Sequence, residues 1–373
     1  MTWDMLIVGG GINGCAIARE AALHGLGVLL VERDTLAAHT SSASSKLIHG
    51  GLRYLEYRDF KLVREAVKER ARLLRLAPGL VRPVPFVLPH AHAPRPAWMV
   101  RAGLWLYDRI GGVSGVPRAR GLRADDGAYQ APFAKGMPGF VYWDAMVDDA
   151  ALTCAYAADA VMNGAVVREG VALTGARREG GEWRATLSDG ATVSARMLVN
   201  AAGPWVADLL GTIGVRGKAG VRLVKGSHIT VPRLYQGDHA YLLQQPDRRV
   251  VFAFPWRGET AIGTTDVPVA TPADPVISPE EAGYLRAAAN RYFARNITPG
   301  DVTGSWSGIR ALYDDGASEA RAVTRDYVLE VDRDGPPLLS VFGGKITTAR
   351  ALAEDALAKL GYPDPVSRDR PIG

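Results

Sequence analysis

The apolar run Met5-Leu6-Ile7-Val8 passes without a break into Gly9-Gly10-Gly11-Ile12-Asn13-Gly14. A continuous apolar run of this length suits a central parallel strand buried on both faces. Gly9, Gly11 and Gly14 satisfy G-x-G-x-x-G, and a helical pattern, CAIAREAALHG, follows. A second apolar run, Val28 to Val31, then ends in Glu32. Strand, tight turn, helix, strand and acid within one βαβ unit is the dinucleotide-binding arrangement. Gly9 permits the turn, Gly11 lets the backbone approach a pyrophosphate, and Gly14 lets the helix pack on the strand. The helix N-terminus offers unpaired N–H groups and a positive dipole end to phosphate. Glu32 is placed to accept from both ribose hydroxyls, which disfavours a 2′-phosphate.

The fingerprint does not choose between NAD and FAD. The far end of the chain bears on the choice. Leu338 to Phe342 is another buried-strand run, and it leads into Gly343-Gly344-Lys345-Ile346-Thr347-Thr348 and a helical pattern. A second glycine turn at a helix N-terminus suits one long ligand held from both ends of the chain. A flavin fits, because its N1–C2=O edge becomes anionic on reduction and a helix N-terminus stabilises that charge. An ordinary strand–helix connection has the same form.

Composition narrows the classes. With 373 residues, 47% of them hydrophobic, the chain supports a large core and two domains. Its net charge of +5 favours anionic partners, yet Lys and Arg are scattered, so no nucleic-acid partner is expected. Two cysteines, Cys15 and Cys154, exclude a disulfide framework and fit a reducing cytoplasm. No signal-peptide pattern precedes the first strand. No apolar stretch reaches the ~18 residues of a membrane span. No His, Cys or carboxylate cluster has metal-ligand spacing, so no metal is expected, and no Ser-His-Asp arrangement is suggested.

Seven segments then recur in order: DMLIVGGGINGCAIAREAALHGLGVLLVERD, TSSASSKLIHGGLRYLE (from Thr40), VNAAGPWV (from Val199), KGSHI (from Lys225), IGTTD (from Ile262), TRDY (from Thr324) and SVFGGKITTAR (from Ser340). Together they resemble the FAD-dependent glycerol-3-phosphate dehydrogenases of the aerobic bacterial type, over nearly the whole chain. The glycine fingerprint and the NAAGPW segment are shared with related amino-acid and sarcosine oxidases.

The resemblance implies an α/β fold. A Rossmann-like FAD-binding domain of the glutathione-reductase/D-amino-acid-oxidase type would use residues 1–75, 145–220 and 330–373. An antiparallel-sheet substrate (cap) domain would use 76–144 and 221–329. It implies oxidation of sn-glycerol 3-phosphate to dihydroxyacetone phosphate by hydride transfer from C2 to flavin N5. Electrons would pass to a membrane quinone, from a cytoplasmic protein attached peripherally to the inner membrane. An oxygen-using oxidase, another oxidase of the same fold, or a flavin-binding fragment without turnover are the alternatives. The family usually carries a further helical C-terminal domain, which bears on quinone access, membrane docking and a homodimer contact.

For FAD, the resemblance implies contacts from Gly9, Gly11, Ile12, Asn13, Gly14, Glu32 and Arg33. Ser41, Ser42, Ser44, Ser45 and Lys46 would follow the pyrophosphate and ribityl chain. His49, Gly50, Gly51 and Leu52 would lie along the ring. Val171, Ala201, Gly203, Trp205, Gly343, Gly344, Lys345, Ile346 and Thr347 complete the set. For the substrate it implies Arg53, Tyr54, His228, Arg310, Arg325 and Lys345. Guanidinium groups suit a phosphate because they bind oxygen pairs.

The C2 hydroxyl must lose a proton, and histidine has a suitable pKa. Among seven histidines, His228 is the first choice and His49 the second, while Arg310 and Lys345 assist. His24, His39, His90, His92 and His239 read as surface or loop residues. Residues 95–109, RPAWMVRAGLWLYDR, interleave Trp98, Trp105 and Tyr107 with Arg95, Arg101 and Arg109. That pattern suits an interfacial helix at a membrane or one packed on the substrate domain.

Overall fold

A computed structural model describes residues 2–91, 95–112, 115–217, 220–273, 275–314 and 327–372, with Arg53 described by its backbone alone. The expected N-terminal unit forms from Thr2–Val8 (β1), Ile12–Leu23 (α1) and Val28–Val31 (β2). β1 and β2 pair in parallel, Met5 opposite Val28 and Val8 opposite Val31. Met5, Leu6 and Ile7 are fully buried, because helices and a second layer cover both faces of the strand. One face packs on α1 and the helices Asp149–Met162 and Ala349–Lys359. The other packs on Trp183, Leu187 and Val206 to Leu210.

In this first sheet the strand order is 328–332, 338–342, 192–200, β1, β2, 166–168. Strand 192–200 runs parallel to β1, with Val8 opposite Asn200, and strand 338–342 runs parallel to 192–200. Three strands from the beginning, middle and end of the chain therefore finish at one sheet edge. They deliver Gly9, Ala201 and Gly343 there, the usual ligand edge of an open parallel sheet. Strands 173–179, 182–187 and 192–200 form an antiparallel meander. Gly180 and Gly181, both at positive φ, make its first turn.

A second sheet contains strands 47–48, 81–89, 120–121, 139–147, 220–231, 240–244, 250–256, 259–263, 267–269 and 304–314. Its pairings are antiparallel except that 240–244 runs parallel to 81–89. Those two strands come from distant segments, so no hairpin dictates their direction. Residues 47–48 pair with 145–146 in this sheet, so the first seventy-five residues feed both sheets. The long pairing of 220–231 with 304–314 sets His228 opposite Trp306 and Val224 opposite Arg310.

Two helices cover this sheet near the N-terminal segment, Phe60–Leu76 (α2) and Ala97–Ile110 (α3). α3 exposes Trp98, Met99 and Trp105 but buries Leu104 and Tyr107. Tyr107 thus leaves the exposed aromatic set in which the sequence pattern put it. His239 also departs from expectation. It is buried, its Nε2 lies 2.9 Å from Tyr241 Oη, and burial lowers its pKa to about 4. Among the described residues, no helix is long and apolar enough to cross a membrane.

Candidate active site

A cavity of about 560 Å³ lies along the ligand edge of the first sheet and under the second. Its lining runs from Glu32 and Arg33 past Gly11 and Ser41 to His49, Arg310 and Lys345.

At the first end, Gly9 has φ +114°, and a Cβ there would lie 2.4 Å from Ala201 O. Only glycine permits that turn against the neighbouring strand. The buried Glu32 carboxylate accepts the Gly10 N–H at 2.6 Å and the Asp34 N–H at 2.9 Å. It shapes the turn as well as lining the cavity. α1 has no side-chain cap at Gly11. Instead Ser41 Oγ accepts the Ile12 N–H at 2.9 Å, which puts that serine at the phosphate position of the helix N-terminus. The Arg33 guanidinium lies 3.9 Å from the Trp205 ring centroid. His39 packs on the same ring and bonds Asp34 at 2.8 Å. His39 is therefore a wall residue that its loop-like sequence did not reveal. Glu32, Asp34 and His39 bring ligand atoms within 4.8 Å of one another, a grouping their sequence spacing hides. The hydrogen bonds above already engage all three, and we assign no metal there.

Asn13 Nδ2 donates to Gly343 O at 3.1 Å. This bond joins the first glycine turn to the last. Asn13 Oδ1 and Lys345 Nζ are buried with no hydrogen-bond partner. Lys345 Nζ lies 4.4 Å from the Tyr54 ring centroid.

The serine loop departs from a simple row of phosphate donors. Ser44 donates to Asp149 Oδ2 from both N (3.0 Å) and Oγ (2.6 Å), while Lys46 Nζ pairs with Asp149 Oδ1 at 2.7 Å. Ser42 Oγ donates to His39 O at 3.1 Å. Ser45 Oγ lies 2.9 Å from His228 Nε2. Ser41, Ser44 and Ser45 line the cavity; Ser42, Lys46, Gly14 and Gly50 stand behind its wall. Asp149 organises the loop, and sequence reading missed it because an Asp at a helix start reads as a cap.

At the far end, Arg310 donates to Asp266 Oδ1 at 2.5 Å, Thr264 Oγ1 at 3.0 Å and Thr265 O at 3.3 Å. His228 is buried and stacks on Trp306, with ring centroids 4.7 Å apart and planes 7° from parallel. Burial first, then the charges of Arg310 and Lys46, hold its pKa well below the ordinary histidine value. His49 Nδ1 accepts the Gly51 N–H at 3.0 Å. Leu52, Tyr54, Val171, Ala201, Gly203, Trp205, Gly343, Gly344, Ile346 and Thr347 all line the cavity. The Arg53 side chain and the whole of Arg325 lie outside the described residues, as does His92.

A glycine turn at a helix N-terminus, a ribose acid and orphaned polar atoms at both glycine turns fit a dinucleotide cofactor lying along the cavity. Residues 4–350 match the family of FAD dependent oxidoreductases (DAO). This chain belongs to that family.

FAD is the cofactor of this flavoenzyme. The chain is similar to a glycerol-3-phosphate dehydrogenase of Pseudomonas aeruginosa, at 50% identity over 96% of this chain and 71% of the relative. It is also similar to a D-erythritol 1-phosphate dehydrogenase of Brucella abortus, at 47% identity over 97% of this chain and 74% of the relative. Among solved structures, the glycerol-3-phosphate dehydrogenase of Bacillus halodurans in complex with FAD aligns with a TM-score of 0.73 and 28% identity. That alignment covers 100% of this chain and 66% of the other.

Proposed function

We propose that this flavoenzyme oxidises sn-glycerol 3-phosphate at its C2 hydroxyl, giving dihydroxyacetone phosphate. The observation that carries this reading is that Arg310, Lys345 and the imidazole of His228, whose pKa burial and the Arg310 charge hold low, all line the same FAD cavity. Two cations suit a phosphate dianion, and an unprotonated imidazole suits a hydroxyl proton. Bound FAD supplies the hydride acceptor. Arg310 and Lys345 hold the phosphate, with Arg53 and Arg325 proposed as further partners. Tyr54 lies beneath the Lys345 ammonium. His228 takes the proton. His49 is the second candidate: its Nδ1 accepts a backbone N–H, as one nitrogen of His228 meets Ser45 Oγ. A four-carbon polyol phosphate is the second reading, favoured by the Brucella abortus relative.

The electron acceptor we propose is a membrane quinone. The exposed Trp98, Met99 and Trp105 of α3 beside Arg101 and Arg109 support peripheral contact with a membrane. A homodimer is proposed on the resemblance alone. The substrate reading is tested by adding glycerol 3-phosphate, erythritol 1-phosphate or plain glycerol to the anaerobic holoenzyme and following the visible flavin band. Faster loss of colour with glycerol 3-phosphate than with the four-carbon ester supports the first reading; the reverse order selects the second.

A further inference from the structure

A buried polar unit that the proposed chemistry does not use reaches the wall of the cavity through Asp144. Gly50 N–H donates to Tyr107 Oη at 2.7 Å and, more weakly, to Asp144 Oδ1 at 3.4 Å. Tyr107 Oη donates in turn to Asp144, at 2.7 Å to Oδ1 and 3.0 Å to Oδ2. The Arg70 guanidinium pairs with the same carboxylate and donates to Trp143 O at 3.0 Å. Arg70, Tyr107 and Asp144 are each 1% exposed. They come from α2, α3 and strand 139–147, and they converge on the loop that follows strand 47–48. A Cβ on Gly50 would lie 2.5 Å from Tyr107 Oη and 2.4 Å from Val67 Cγ2. Any larger residue there would push the backbone off its anchor.

We infer that Arg70, Asp144 and Tyr107 are positioning residues that clamp the Gly50 backbone and so fix the His49–Gly51 segment against the flavin. The neighbours of Gly50 in the chain, His49 and Gly51, line the cavity together with Asp144. Gly50 itself is turned away from the cavity by its bonds. With the Gly51 N–H given to His49 Nδ1, the amides of Gly50 and Gly51 are both spent inside the protein. The segment therefore presents ring and backbone surface, at a fixed height, to whatever lies on it. The unit suits this task because it is electrically balanced. The Asp144 charge is matched by Arg70, and burial holds the Tyr107 phenol well above its ordinary pKa, with Asp144 adding to the effect. Tyr107 thus remains a hydroxyl that both donates and accepts, which is what links Gly50 to Asp144.

The inference rests on the isoalloxazine lying at the Lys345 end of the cavity, and the experiment separates the two ideas. Tyr107→Phe keeps the ring and its packing but removes the bond to Gly50. The holoenzyme of this variant is compared with wild type for FAD content, visible band positions, midpoint potential without substrate, and amide exchange of the peptide spanning residues 47–52. Asp144→Asn is a second variant, and Lys345→Met reports on where the ring lies. The expected result is unchanged FAD content, faster exchange at 47–52, shifted bands and potential, and reduction by glycerol 3-phosphate slowed roughly ten- to hundredfold, as for a small misplacement at a reacting centre. Tyr107→Phe with wild-type bands, potential and exchange, beside a Lys345→Met variant whose bands and potential move, would overturn the clamp. If Lys345→Met moves neither, the placement of the ring fails and the inference falls with it.

Discussion

Arg310 and His228 divide the work at the substrate end, and each makes a separate prediction. Arg310 is held by Asp266, Thr264 and Thr265, and none of these three bonds goes to a glycine turn. Arg310→Ala should weaken binding of the phosphate ester by about ten- to a hundredfold, the worth of one charge-assisted hydrogen bond. FAD content should stay at the wild-type level. A titration of the flavin spectrum with a non-reacting phosphate analogue measures both, and joint loss of FAD and analogue would remove the phosphate role. His228 makes a prediction about pH. Burial, with Arg310 and Lys46, keeps its folded pKa well below its ordinary value. The unfolded chain takes up this proton near pH 6.5, the folded chain only at lower pH. The stability tied to this group is complete above about 6.5 and is lost as the pH falls through that value. Replacing His228 with Gln should therefore shrink the drop in melting temperature between about pH 7.5 and about pH 5.5. An equal drop in both proteins would mean that the imidazole takes up its proton as readily in the fold as in the unfolded chain. The sequence marked both residues through their motifs. It did not mark Trp306, the stacking partner of His228, or Ser45 as the hydroxyl on its Nε2. Those contacts depend on a register between strands far apart in the chain.

The elements that hold the site were read unevenly, for physical reasons. β1, α1, β2 and strand 338–342 are apolar on both faces or carry glycine turns, and such signals are local. α3 shows what local reading can lose. Trp98 and Trp105 are seven residues apart and share a face, whereas Tyr107, two positions further on, points to the other side. Counted by composition, the three form one aromatic set; counted by helical period, Tyr107 belongs inside, where it is found. Asp144, Asp149 and Arg70 were invisible because single charged residues are commonplace, and only their long-range partners give them meaning. The same holds for Glu69 of α2, which pairs with Arg350 at 2.7 Å and 2.8 Å through two nitrogens. Both side chains are almost fully buried. This pair ties α2 to the helix that follows the last glycine turn. Arg350→Met removes the cation that Glu69 shares with Glu354 and leaves Glu69 paired with Arg72 alone, at a cost below the about 3–5 kcal/mol of a wholly unpaired buried charge. The holoenzyme's melting temperature should fall by several degrees with its flavin bands unmoved. An unchanged melting temperature would show that the pair holds nothing together.

At the scale of the whole molecule, the fold brings three distant parts of the chain to one edge. Parallel strands ending at Val8, Asn200 and Phe342 set three turns side by side, and Asn13 ties the first to the last. The second sheet roofs that edge and carries His228 and Arg310 over its far end. This architecture was legible because the buried-strand runs and glycine turns are continuous in sequence. The sharing of residues 47–48 with the second sheet was not, since two residues carry no periodicity. The central claim is that a phosphorylated secondary alcohol loses a hydride from C2 at this site. It is tested most directly by anaerobic mixing of the holoenzyme with sn-glycerol 3-phosphate, unlabelled or deuterated at C2, with plain glycerol as the comparison. The account predicts that the phosphate ester bleaches the flavin, that deuterium slows the bleaching, and that glycerol leaves the colour unchanged. Flavin that stays oxidised with the ester, or that glycerol bleaches as fast, would contradict it.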